Sequence, residues 1–390
     1  MTLRRRAHDA AARPSLRTVA RQWGRIGCIG FGGPPTHIAL LRDLCVERRR
    51  WLTSVEFEDA IAACNLLPGP ASTQLAIFSA WWVAGPGGAL VGGATFIAPG
   101  LVLILGLAAL FLAASPPAWV LGAAAGAGAA VAAVAVRAGT DLVRPSLSRT
   151  PARWRWTLYA VLGATAAAML GPGLVLVLIA CGLCEVISHT LGRAGNVGIH
   201  VWPLIAATTS VAAGGLLAVV WVAFKVGALS YGGGFVIIPL MQVDAVDHYH
   251  WMTNAQFLNA VALGQLTPGP VVQTVAAVGY AAAGIGGGLL AALVAFTPSF
   301  VLVLLGANRF DQLRTNANAR AFLAGAGPAA IGAIVGAAIP LAVALGVAWQ
   351  YAVLGGAAFA LLVLRRGVVV TLLSAAAIGV IATQLGAPSP

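Results

Sequence analysis

The chain contains itself twice, at an offset of 200 residues. From Gly27 it runs GCIGFGGPPTHIALL, then RRRWLTSVEF, then NLLPGPASTQLA; from Gly227 it runs GALSYGGGFVIIPLM, then HYHWMTNAQF, then QLTPGPVVQTVA. Gly32, Gly33, Trp51, Thr53, Phe57, Pro68, Gly69 and Pro70 recur as Gly232, Gly233, Trp251, Thr253, Phe257, Pro268, Gly269 and Pro270. After a one-residue slip, Gly85, Gly87, Gly88 and Pro99 correspond to Gly284, Gly286, Gly287 and Pro298. Whatever unit one half folds into, the other must fold into as well. Interrupted hydrophobic segments at matching places in two halves are the mark of a transporter built from repeats, and the interruptions point to its binding site.

Composition fixes the solvent of that unit. The chain is 59% hydrophobic and 9% charged, with a mean hydropathy of +0.90. A soluble domain carries about 25% charged residues, so a water-facing surface cannot be built from this chain. Apolar runs of bilayer-crossing length recur from end to end, whereas barrel strands would be about 10 residues of alternating polarity. The expected class is all-α: a polytopic membrane protein of two homologous repeats with broken or re-entrant helices. The net charge of +12 does not imply nucleic acid, because the arginines lie mostly in the N-terminal stretch and short loops, where topology signals sit. Of five cysteines, Cys181 and Cys184 form a C-x-x-C with no second ligand pair and read as helix-packing residues.

The apolar stretches run roughly over 24–41, 57–82, 84–114, 117–136, 157–187 (long enough for two short spans), 201–224, 225–242, 257–282, 284–307, 321–346, 349–364 and 367–386. The organisation expected is a basic cytoplasmic tail at 1–23, a first membrane repeat at 24–187, a linker at 188–199 and a second repeat at 200–390. The arginine-rich start lacks a cleavable apolar core and is read as retained. Glycine and alanine runs such as 122–136 let helix backbones approach closely. Loop 42–50, RDLCVERRR, holds four arginines against two acids, while its counterpart 242–250, QVDAVDHYH, has no lysine or arginine. Under the positive-inside rule the first is cytoplasmic and the second external, so the unit sits in the membrane both ways up, as inverted-topology repeats do.

LPGP at 67–70 and TPGP at 267–270 carry the chemistry. Two prolines around a glycine remove donors and disfavour helix in the preceding residue. Inside a bilayer such a break is tolerated only where protein buries it or it lines a cavity. Each is followed by a new helix start bearing Thr73 and Gln74, or Gln273 and Thr274. The positive end of the helix dipole there suits an anion. The glycine clusters Gly32-Gly33 and Tyr231-Gly232-Gly233 allow close backbone approach. Any one such kink also serves packing alone; recurrence in both halves favours a site. The expected substrate-binding set is therefore Gly32, Gly33, Pro68, Gly69, Pro70, Thr73, Gln74, Lys225, Tyr231, Gly232, Gly233, Pro268, Gly269, Pro270, Gln273 and Thr274. Arg25 and Lys225 are repeat partners just before each glycine cluster, so each half offers one cation; Lys225 is the best lone candidate, since Arg25 can equally belong to the basic tail. His37, Glu56, Glu58, Asp59, Glu185 and Asp244 are the available proton carriers. There is no Walker loop, G-x-S-x-G, H-E-x-x-H or clustered metal-ligand set, so neither ATP-driven nor enzymatic chemistry is expected.

At Gly32-Gly33-Pro34, His37-Ile38-Ala39, Arg50-Trp51-Leu52, Phe57, Leu67-Pro68-Gly69-Pro70, Gln74 and Ala76, repeated as Gly232-Gly233, Trp251, Phe257, Pro268-Gly269-Pro270 and Ala276, the chain resembles the chromate ion transporter (CHR) family in its long two-domain form. The resemblance implies a bacterial inner-membrane permease that exports chromate, confers chromate resistance and draws on the membrane potential or proton gradient. Sulfate is the isosteric dianion such a site could confuse with chromate. The partners implied are these anions and the lipid bilayer, with no cofactor, no nucleic acid and a homo-oligomer left open. Gly234, Ile237, Pro239 and Thr274 stand where the first half has Pro34, His37, Ala39 and Gln74, so a shared site is only approximately symmetric. A sulfate or other anion permease is the alternative within transport, and a membrane-embedded enzyme or scaffold the alternative outside it.

Overall fold

The computed structural model describes residues 14–65, 67, 69–113, 116–148, 152–191, 215–230, 236–307 and 316–388. Among them the regular structure is entirely helical. The first half supplies α1 Leu16–Ile29, α2 Pro34–Arg42, α3 Ser54–Cys64, α4 Ala71–Phe111, α5 Ala118–Leu147, α6 Arg153–Met169 and α7 Leu174–Leu191. The second supplies α8 Leu216–Leu229, α9 Ile237–Gln242, α10 Asn254–Leu266, α11 Thr274–Gly306, α12 Ala317–Gly336, α13 Ala338–Val343, α14 Ala348–Ala358 and α15 Val368–Gln384. Stretch 157–187 is indeed two helices, parted at Gly171–Gly173. The expected division between 224 and 225 is absent, since α8 runs straight through it. Helix α1 begins at Leu16, inside the stretch read as tail, because Val19, Trp23 and Ile26 give it an apolar face to bury. Of the expected linker, residues 188–191 belong to α7 and the remainder falls outside the described residues.

The repeat extends to backbone detail. After α2 and after α9 the chain widens into a π turn, Asp43–Arg48 and Val243–His248. It then reverses at Arg50 and His250, with φ of 51° and 53°. Thr53 and Thr253 start the next helix, each accepting from the backbone N–H three residues on while Glu56 or Gln256 reaches back. These reciprocal caps satisfy two helix-end donors apiece.

Neither α4 nor α11 is one continuous rod. Helical geometry fails at Ala84–Gly85, where Gly85 has φ of 69°, and at Ala283–Gly284, where Gly284 has φ of 63°. Beyond each failure the chain folds back. Gly88 and Gly92 lie against Ala80, Gly93 against Ile77, and in the other half Gly287 and Ala291 against Gly279. In a straight helix residues 80 and 92 would stand about 18 Å apart. Each element is thus a helical hairpin with a short inner arm (71–83, 274–282) and a long outer arm (86–111, 285–306). An inner arm of about 20 Å stops partway through a bilayer, whereas the first outer arm, at about 39 Å, can cross it.

The second break is re-entrant by position. Gln256, Ala260 and Leu263 of α10 and Ala277 of the inner arm line one small crevice with Ala108, Phe111 and Leu112. Between them, the Pro268 carbonyl abuts Gly100 and Gln273 bonds to Ile97. The chain therefore climbs the first outer arm by about two turns to its break and comes back.

Equivalent elements cross between the halves. Gly93 rests on the Phe300 ring and Gly288 on Leu105, so the two outer arms run antiparallel. Helix α5 packs on α14 and α15 of the second half, and α12 on α6 and α7 of the first. The contacts are glycines against carbonyls: Gly122 on Gly379, Gly126 on Ala375, Gly163 on Ala329, Gly332 on Ala160 and Gly325 on Cys181. Close backbone approach of this kind is how helices associate in lipid, where burial of apolar side chains gives no advantage. Apolar side chains such as Val102, Leu293, Leu305 and Val343 stay exposed on the outside.

A methyl group at Gly126 would strike the Ala375 backbone, while one at Gly355 meets nothing within 4 Å. Gly126→Ala should therefore lower the stability of the detergent-purified protein by about 1–3 kcal/mol, and Gly355→Ala should raise it by about 0.5–1 kcal/mol. Thermal unfolding midpoints check both signs; equal shifts would mean that the α5–α15 contact is loose.

Candidate functional site

The two breaks lie in the same central region and each leans on the opposite half. Gly69 and Gly269, with φ of 120° and 104°, turn the chain as no residue bearing a Cβ does comfortably. Pro70 and Pro270 precede the new helix starts, and neither start has a side-chain cap. The first N–H groups of a helix have no intrahelical partner, so two uncapped, partly positive ends meet here.

The second break is tied to the first half through Gly30. The Gly269 N–H donates to the Gly30 carbonyl at 3.1 Å, and His37 Nε2 meets the same oxygen at 2.9 Å. A carbonyl only accepts, so Nε2 carries the proton and Nδ1 of the neutral ring accepts from Ser72 Oγ, 3.3 Å away. The ring is fully buried, edge-on to Phe96. Gln273 Nε2 donates to the Ile97 carbonyl at 2.8 Å. Gly100 fits between the Pro268 carbonyl and Gln273 Oε1 with no room for a side chain.

The first break likewise rests on the second half. Gly69 faces Ser299 Oγ and the Gly227 carbonyl, and Ser299 follows Pro298 as Gly100 follows Pro99. The Thr and Gln after each break are swapped in sequence, yet both amides lie over their own glycine: Gln74 over Gly69, Gln273 over Gly269. A 3-10 turn, Val271–Gln273, precedes the second α-helix and offsets the swap. Gln273, which aligns in sequence with Thr73, thus has its structural counterpart in Gln74.

Polar atoms without partners concentrate around the breaks. Among the described residues, Thr73 Oγ1, Ser230 Oγ, Gln265 Nε2, Thr267 Oγ1, Gln273 Oε1 and Ser299 Oγ are buried and find no hydrogen-bond partner. Leaving such a group unpaired costs about 1–3 kcal/mol. Five of the six can donate, and a tetrahedral oxyanion is an acceptor on every side.

Of the expected site residues, Gly69, Pro70, Thr73, Gln74, Pro268, Gly269, Pro270, Gln273 and Thr274 gather at the two breaks. The Thr274 hydroxyl, however, is occupied by the Val271 carbonyl at 2.8 Å. Gly33 borders Val271, and Gly32 is exposed beside Thr36. Pro68, Tyr231, Gly232 and Gly233 lie outside the described residues. Lys225 departs from its expected role as a lone cation: its Nζ is 2.6 Å from Asp244 Oδ2, and both side chains are buried. A carboxylate already cancels its charge. Arg25 is exposed. Among the other expected proton carriers, Glu58 pairs with Arg42 and Glu185 with Arg155, while Glu56 caps α3. Sequence reading did not place His37, Ser72, Gly100, Ser230, Thr267 or Ser299 at the site. Gly100 and Ser299 were signalled, since they directly follow the paired prolines.

The family model described as Chromate transporter matches residues 17–186 and 217–380, the two halves separately. A chromate transport protein of Cupriavidus metallidurans is 31% identical over 84% of this chain and 83% of its own length. A probable chromate transport protein of Synechococcus elongatus is 28% identical over 84% of each chain. A chromate transport protein of Pseudomonas aeruginosa is 29% identical over 82% of this chain and 79% of its own. No solved structure matches.

Because their hydroxyls are unpartnered, Thr73→Val and Thr267→Val together should leave the unliganded protein as stable as wild type, or slightly more so. A tetrahedral oxyanion should raise the unfolding midpoint of wild type and have a much smaller effect on the double variant. Equal protection of both proteins would place the anion elsewhere.

Proposed function

The chain belongs to the chromate transporter family, and from that premise we propose that it is a secondary exporter of chromate in the inner membrane of a bacterium. The observation that carries the anion site is the crossing of the breaks: two uncapped helix starts set among five buried, unpartnered donor groups. A dianion in a low-dielectric interior needs such donors, because bulk water no longer solvates it. With no nucleotide-binding loop in the chain, the membrane potential or proton gradient supplies the energy. Sulfate has the same charge and tetrahedral shape and competes at the same donors. This reading needs no second copy of the chain.

The halves occupy the membrane in opposite orientations in this reading. Loop 42–50 is cytoplasmic by its arginines and loop 242–250 external by its lack of them. The antiparallel outer arms of α4 and α11 accord with this, as a two-fold axis in the membrane plane relates inverted repeats. Rocking one half against the other would then expose the crossed breaks to each side in turn. Rigid-body motion about a fixed midplane site is the usual route to alternating access.

Two outcomes are expected. Arg49→Cys and Tyr249→Cys should react with an impermeant thiol reagent from opposite faces of the membrane; reaction from one face removes the inversion. Replacing Pro268 and Pro270 together by alanine should let α10 and α11 close up, abolishing efflux of radiolabelled chromate while membrane insertion stays normal. Wild-type efflux in that variant would reduce the breaks to packing kinks, and efflux insensitive to excess sulfate would remove sulfate as a ligand.

A further inference from the structure

The crossed breaks leave one buried charged feature unused. Lys225, on α8, and Asp244, in the π turn after α9, form an ion pair at 2.6 Å with side chains 6% and 7% exposed. Lys225 Nζ also lies 5.7 Å from the centre of the Trp221 ring. The first half has Arg25, exposed, and Leu44, buried, at the same positions. The same unit thus folds with an apolar residue in place of the aspartate. A buried ion pair is seldom more stabilising than an apolar pair of equal volume, so stability does not explain its presence in one copy.

We propose that the pair is the proton-coupling site of the transporter: Asp244 takes up a proton, the pair opens, and the charge of Lys225 becomes available to the transported anion. The inference rests on the oxyanion transport proposed above. Closed, the pair is neutral. With Asp244 protonated, a buried positive charge remains without a counter-ion, and a dianion supplies one. Proton and anion must then favour each other's binding by the same factor and leave together, as one net negative charge that a membrane potential negative inside drives outward.

Helix α8 joins the pair to the breaks. Two residues beyond Lys225, the carbonyl of Gly227 lies 3.5 Å from where a Cβ on Gly69 would stand. Among the described residues, Lys225 is the one lysine or arginine paired with Asp244. His248 and Tyr249, from its own segment, are near enough to interact electrostatically. Helix α10 and the Gly171–Gly173 turn, which touches Val243, bear no titratable residue, and α8 bears only Lys225.

The test is calorimetric binding of chromate to the full-length protein in lipid nanodiscs, in buffers of different ionisation enthalpy, which counts protons taken up per anion. Wild type should take up about one proton more than Asp244→Asn, and the variant should bind about tenfold more tightly at alkaline pH. The anion's own titration is common to both and cancels. Should Asp244→Asn fail to fold, Lys225→Met with Asp244→Leu restores a neutral, apolar pair; it should bind chromate more weakly than wild type and with the extra proton absent. Equal proton uptake by wild type and either folded variant would overturn the coupling role. Failure of wild type itself to bind chromate would overturn the proposed function, and the wild-type isotherm alone distinguishes the two results.

Discussion

Everything at the centre of this protein follows from a backbone that stops being helical where there is no water to solvate it. A break inside a bilayer frees carbonyls and amides, and each must find a partner within the protein. Here the partner comes from the other half. Gly269 donates to Gly30, and Gln273 donates to Ile97. Gly100 and Gly69 are small because the opposite break presses on them. Neither half could keep its break in isolation without exposing these groups. The glycine-to-carbonyl contacts of α5 and α12 hold the halves close enough for that exchange.

The helical class, the two copies and the position of both breaks were legible because hydropathy and proline act locally. Even the ends at 82 and 84, and at 282 and 284, fell beside the hairpin turns at Ala84–Gly85 and Ala283–Gly284. The fold-back itself was not legible. A glycine with positive φ has the same sequence signature as a packing glycine, and only the contact of Gly92 with Ala80 distinguishes them. Lys225 was misread for a related reason. Its neighbours in sequence are apolar, while its partner is nineteen residues on, across a turn that local sequence does not connect to it.

The swap of Thr and Gln after the breaks shows a second limit. Alignment pairs Thr73 with Gln273 and suggests lost symmetry. The structure restores it with one 3-10 turn, which places both amides over their glycines. Asymmetry survives elsewhere, at His37 and at the buried ion pair, where each half has a polar device the other lacks. Duplicated units commonly keep the backbone solution in common and let side chains diverge, because the backbone constraint binds both copies equally.

The packing of α5 on α14 and α15, and of α12 on α6 and α7, bears on how the chain is made. Synthesis runs from the N-terminus, so α5 enters the membrane more than two hundred residues ahead of the helices that cover its glycines. During that interval its stripe of small residues faces lipid or another protein, and the Gly30 carbonyl waits for Gly269. Contacts of such long sequence separation form late and slowly. The first half must therefore persist as an inserted but unfinished bundle, vulnerable to quality-control proteases until the final helix arrives.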